Sequence, residues 1–308
     1  MKIFTSYFSG LKSASRLKTM TTIIYAITFL LALVIAIPFH STLTSEAGNT
    51  MALHSMLKHF DYTTFSDFMR VSGKAIKPFI TTAIWMGMFY FLFTVFFAGG
   101  VLSILSSDGQ KFSVNNFLEG CGKFFFRFLR LAVYMIIILL LVTAIVFMPI
   151  GMIIASAYQT VQSEASLFYI ILTGAIVYAF FFLLILMIGD YAKIILFRDD
   201  SKRSLKSVWA STKFVFKHFF GAYLLYILLF IAPIIFFVLY FQLDDAIGMV
   251  SGFTIFVMFL VQQIFVWLRI WTRIWSLGSE LSYFGLAKKF EVPTIETATD
   301  QAAGISPL

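Results

Sequence analysis

Six apolar stretches, each about as long as a bilayer is thick, constrain this chain more than any other feature. A hydrocarbon core of about 30 Å takes roughly 20 residues at 1.5 Å of helical rise. Segments near 21–39, 79–105, 131–155, 165–190, 221–242 and 246–270 meet that length. Lipid offers backbone N–H and C=O groups no partners, so such stretches fold as helices. The expected fold class is all-α, a polytopic membrane protein with six transmembrane helices. Composition agrees. Charged residues make up 12% of the chain, about half the share of an ordinary soluble domain. Pro78 reads as a helix start, Pro149 as lying near the end of span three, and Pro233 as a kink in span five.

Direction follows from Lys and Arg placement. With the N-terminus inside, the inner segments hold 19 of the 23 Lys and Arg residues. The outer ones hold Lys58, Arg70, Lys74 and Lys77. Both termini are therefore expected in the cytoplasm and the chain in the plasma (inner) membrane. Span one is expected to stay as an anchor. Its long apolar run outweighs the small-x-small look of Ser45-Glu46-Ala47.

The inner segments repeat. Lys123-Phe124-Phe125-Phe126-Arg127 aligns with Lys213-Phe214-Val215-Phe216-Lys217 at an offset of 90 residues, and each precedes a span. In 113–130 a polar face of Asn116, Lys123, Arg127 and Arg130 stands opposite Phe117, Leu118, Cys121, Phe125 and Phe128. In 203–219 Lys206, Lys213 and Lys217 oppose Leu205, Val208, Trp209, Thr212 and Phe219. Lys12 and Arg16, against Phe4, Phe8 and Leu11, make a fainter copy. Basic, aromatic helices of this kind lie in the headgroup plane. The pattern predicts three parallel hairpin repeats, each preceded by a basic interfacial helix, with units 1–105, 113–198 and 203–286 in one membrane domain spanning 1–289. A disordered cytoplasmic tail is expected over 290–308.

Asp190-Tyr191-Ala192-Lys193, Arg198-Asp199-Asp200, Ser204-Leu205 and Phe214-Val215-Phe216-Lys217-His218 resemble a pattern in bacterial six-span membrane proteins. Those proteins are loosely similar to the membrane region attached to some glycerophosphodiester phosphodiesterases. Arg269 through Lys289, with its regular Trp and Arg spacing, resembles their last segment. The resemblance covers the C-terminal half. It implies a membrane module rather than an activity, because the soluble phosphodiesterase domain is missing from this sequence.

The outer segment 40–78 carries two apolar stripes, Leu53, Met56, Leu57 and Phe60, then Phe65, Phe68 and Met69. Thr64 with Asp67 reads as a helix start and Gly73 as a stop, giving two short helices over the outer mouth. His40, His54 and His59 lie here, but His54 and His59 are five apart on mismatched faces, so no metal site is expected.

Catalytic chemistry has little to stand on. Gly120-Cys121-Gly122-Lys123 lacks the spacing and the hydroxyl of a phosphate loop. Met249-Val250-Ser251-Gly252 lacks the leading glycine of an intramembrane serine-protease motif, and no span holds a histidine base. Gly248 and Gly252 read as a helix-packing pair. Cys121 reads as a small packing residue. No catalytic residue, metal ligand or cofactor is assigned.

The polar residues worth following are few. Gln262 and Gln263 are the deepest, and as neighbours they point about 100° apart. Asp190, Lys193, Arg269 and Arg273 fall together at the inner interface, where Asp190 can pair with Lys193 or across the bundle with either arginine. Lys12, Arg16, Lys123, Arg127, Lys213 and Lys217 are assigned to the membrane surface. The expected partners are anionic headgroups and a membrane protein, not nucleic acid. A non-enzymatic scaffold or partner subunit is the leading function, and a carrier of a lipid or other hydrophobic molecule the alternative.

Overall fold

A computed structural model describes residues 2–47, 60–107, 112–157, 164–247 and 251–289. The described residues form eight helices and no strand: α1 (Lys2–Arg16), α2 (Lys18–Ala47), α3 (Tyr62–Ser106), α4 (Val114–Ala157), α5 (Glu164–Arg198), α6 (Ser204–Lys217), α7 (Phe219–Ile247) and α8 (Gly252–Lys289). All but α1 and α6 are long and apolar enough to cross a membrane. The fold class is all-α and polytopic, as the apolar lengths require.

Consecutive helices from α2 to α5 pack side by side, α7 packs on α8, and α8 returns to α2. α1 lies along α8, and α6 lies along α5 with a smaller contact to α4. The tightly buried side chains gather at one end of the bundle, which also carries Lys123, Arg127, Lys193 and Arg273. Leu102, Phe128, Leu131, Met187, Leu196, Leu225, Ile274 and Phe284 form that core. Towards the opposite end the spans turn Leu30, Ile84, Leu140, Ile145, Met148 and Ile176 outward. Apolar side chains exposed on membrane spans face lipid tails.

Small residues let the core close. A Cβ on Gly100 would lie 2.5 Å from Cys121 Sγ and 2.6 Å from Phe117 O, and one on Gly120 would lie 2.6 Å from Ser103 Cβ. The α3–α4 crossing is therefore a backbone-close contact of the small-residue kind. Cys121, fully buried there, is the packing residue that its neighbours Gly120 and Gly122 suggest. α1 meets α8 in the same way, with Gly10 against Ser279 and Gly278.

Several local expectations change. Pro78 lies inside α3, which starts at Tyr62 with Asp61 as its N-cap accepting a hydrogen bond from Thr63 N at 2.8 Å. The helix start placed at Thr64 and the stop at Gly73 both fall within this continuous helix, and no separate helix forms over 65–69. The stripe at 53–57, like His54 and His59, Gly248 and the tail, lies outside the described residues. A Cβ on Gly252 would meet nothing within 4 Å among the described residues. Pro149 and Pro233 lie inside α4 and α7.

The basic segments also differ from one another. The chain breaks between α1 and α2 and again between α6 and α7, so those two segments are separate helices. The middle one is not. Residues 114–130 run straight into the span as part of the 44-residue α4. Its polar face is the expected one, but Phe117, Cys121 and Phe128 are buried in protein rather than turned to lipid. α6 buries Ser204, Ser207, Val208 and Ser211, and leaves Leu205, Trp209 and Phe216 exposed. Serine hydroxyls make that packing possible by bonding carbonyls across helices, Ser211 Oγ to Ile188 O at 2.6 Å and Ser204 Oγ to Arg127 O at 3.0 Å.

Candidate functional site

Asp190 stands near the basic end of α5, with its side chain only 4% exposed. A buried carboxylate needs charged or hydrogen-bonding partners. Lys193, one turn on, donates to Asp190 Oδ1 at 3.0 Å. From across the bundle Arg273 of α8 donates through Nη1 to Oδ2 at 2.9 Å and through Nη2 to Oδ1 at 2.5 Å. This is the two-pronged geometry that a guanidinium alone provides. Tyr226 of α7 faces the same carboxylate. One acid thus joins α5 to α8, with α7 alongside.

Of the four residues assigned to this cluster, three meet. Arg269 does not join them. It is one turn from Arg273 on α8 but lines an apolar crevice of about 270 Å3 with Phe230, Pro233, Phe236 and Phe237.

Glu280 belongs to the site and was not expected there. It lies two turns past Arg273 on the same helix face and is 1% exposed, with Asp190, Arg273 and Lys193 as its charged neighbours. Among the described residues neither of its carboxylate oxygens has a hydrogen-bond partner, and the same holds for the Tyr191 hydroxyl beside it. The sequence signal is the seven-residue spacing from Arg273 to Glu280, which returns to the same helix face.

The glutamines point apart, as adjacent helical positions must. Gln263 Oε1 accepts from Tyr25 of α2 at 2.9 Å, and Gln262 Nε2 donates to Tyr240 of α7 at 3.3 Å. Each ties α8 to a different neighbour. Trp267 Nε1 adds a bond to Thr22 Oγ1 at 3.2 Å.

A second polar centre forms where α5 ends. Asp200 adopts φ 43°, in the left-handed region that aspartate tolerates better than most residues. Ser201 N bonds Leu196 O and Asp200 N bonds Phe197 O, the two reverse bonds of a Schellman cap. The turn aims the Asp200 carboxylate at α4, where Arg127 and Lys123 bind it. Lys123 and Arg127, assigned to the membrane surface, are therefore engaged in this clamp. Lys12, Arg16, Lys213 and Lys217 are exposed at the same end of the bundle.

The Arg127 and Lys123 hydrogen bonds hold the exposed Asp200 carboxyl below its ordinary range. A depressed carboxylate contributes stability above its unfolded pKa, and that stability is lost as pH falls through the folded value. Asp200→Asn should therefore flatten the acid limb of the stability profile below about pH 4. Asp200→Gly keeps the left-handed turn and loses only the ion pairs, whereas Asp200→Ala loses both and should be the less stable of the two. Thermal melts of the three variants between neutral and acid pH check this, and equal Gly and Ala melts would remove the turn from the account. No family model, curated protein or solved structure matches the chain.

Proposed function

We propose that the chain is a non-enzymatic scaffold or partner subunit of a membrane complex, seated in the plasma membrane with both termini cytoplasmic. One observation carries this reading: the intramembrane polar groups that make hydrogen bonds make them to the chain's own helices, and the unpaired Glu280 is buried among them. Asp190 is held by Arg273 and Lys193, Gln263 by Tyr25 and Gln262 by Tyr240. Glu280 is sealed from any substrate. A transport or catalytic site would instead leave such groups facing a cavity. The far halves of the spans offer wide apolar surface on which another membrane protein can pack. The resemblance to six-span modules supports the same reading, and the threefold plan of units belongs with it.

An observation in favour of the carrier reading is the apolar crevice beside Arg269. At about 270 Å3 it falls just below the range for small-molecule sites.

A photo-crosslinking residue placed in turn at Phe89, Ile145, Met148 and Ile176 separates the two. A scaffold gives a discrete protein-sized adduct at some of these positions and none at the others. Lipid-sized adducts alone at every position would end the scaffold proposal. Orientation is tested separately. Reporter fusions after residues 162 and 245 should read outside, and those after 110 and 200 inside. An outside reading at 200 is incompatible with six spans.

A further inference from the structure

Between α4 and the start of α6 lies a crevice of about 820 Å3. Arg130, Lys202, Arg203 and Lys206 line it, with Tyr134 and Trp209. Among the described residues no carboxylate lines it. Asp200, close by in sequence, is turned onto Lys123 and Arg127 instead. Four like charges around one hollow repel each other unless an anion sits among them. Arg130 is fixed in place by a bond from Nη2 to Lys202 O at 3.1 Å. Arg203, at the N-cap of α6, makes no side-chain cap bond, so the helix adds its own positive end to the field.

The level of the crevice names the anion. Arg130, Val133, Tyr134, Ile137 and Leu141 fall on one face of α4. Along that face cation gives way to phenol and then to exposed aliphatics, with Val133, Ile137 and Leu141 open to lipid. α6 adds Leu205 and Trp209, 64% and 75% exposed. A basic hollow that passes into an apolar, aromatic-edged surface matches the boundary between headgroup and acyl chain. We propose that this crevice binds the phosphate headgroup of an anionic phospholipid, whose acyl chains run along Val133, Ile137 and Leu141.

The test uses the full-length protein in mild detergent, with phosphatidylglycerol titrated and bound lipid counted by native mass spectrometry. Phosphatidylcholine and inorganic phosphate are the comparison ligands. Wild type should retain phosphatidylglycerol in preference to phosphatidylcholine. The exposed triple variant Lys202→Gln/Arg203→Gln/Lys206→Gln should bind it roughly 100-fold more weakly, the sum of three surface-charge increments. The control Lys18→Gln/Lys74→Gln/Lys77→Gln removes the same charge from exposed positions elsewhere and should bind like wild type. If the triple variant does not fold, Lys206→Glu alone should still weaken binding and make it less sensitive to salt. Equal binding by triple variant and control overturns the proposal. So does a response to inorganic phosphate through these residues without binding of phosphatidylglycerol, since the ligand would then be a soluble phosphate.

Discussion

Asp190→Asn should cost about 3 kcal/mol of stability in detergent, the low end of the range for breaking a buried ion pair. The low end applies because Arg273 is 46% exposed and Lys193 25%, so their charges keep some solvation once the acid is gone. Asp190 itself is the costly partner to strand. Arg273→Gln removes both prongs and leaves a buried carboxylate facing Lys193 alone, so it should be at least as damaging. In a double-mutant cycle Asp190 and Arg273 should couple strongly, and Asp190 and Arg269 should add. Chemical unfolding followed by Trp fluorescence reads the three single and two double variants. Coupling to Arg269 in place of Arg273 would contradict the geometry of the site.

The second large effect is a change of sign for one substitution at two glycines. Gly100→Ala puts a Cβ within 2.6 Å of a backbone oxygen, Phe117 O, which cannot swing aside. α3 and α4 must then separate, at a cost of about 1–3 kcal/mol. Gly122→Ala, on the open face of the same α4, meets nothing within 4 Å. There the gain in helix propensity stands alone, up to about 1 kcal/mol of stabilisation. Thermal melts of the two variants should move in opposite directions. Two destabilised variants, or two stabilised ones, would show that the α3–α4 contact is not as close as the structure has it.

The spans and their number were legible because apolar length is a local property. So was the divergence of Gln262 and Gln263, which follows from the helical step alone. The choice between Arg269 and Arg273 was not. The two lie one turn apart at nearly the same depth, and only the rotation of α8 about its axis separates them. That rotation is fixed where Gly278 and Ser279 press on Gly10, a contact between the two ends of the chain. Glu280 escaped notice for the same reason, since its burial depends on neighbours contributed by other helices. The start of α3 was misread because Pro78 fits the first turn of a helix as well as its interior. The stripe of Phe65, Phe68 and Met69 marks a helix from about Thr64, but Gly73 reads as its stop, which hides the continuation through Pro78 into the span. Asp200 is a turn residue by local pattern, and its hold on Lys123 and Arg127 depends on how α4 lies across the end of α5.

The seating of α1 on α8 also sets the order in which the molecule can be completed. Trp275 Nε1 donates to Tyr7 O at 3.0 Å, across 268 residues of chain. During synthesis α1 emerges first, yet the groove for Ser6, Gly10 and Ala14 does not exist until the last span has been made. The docking of α1 can therefore follow only once α8 has been made. A chain cut short before α8 would keep its earlier spans and leave that first helix with nothing to close on.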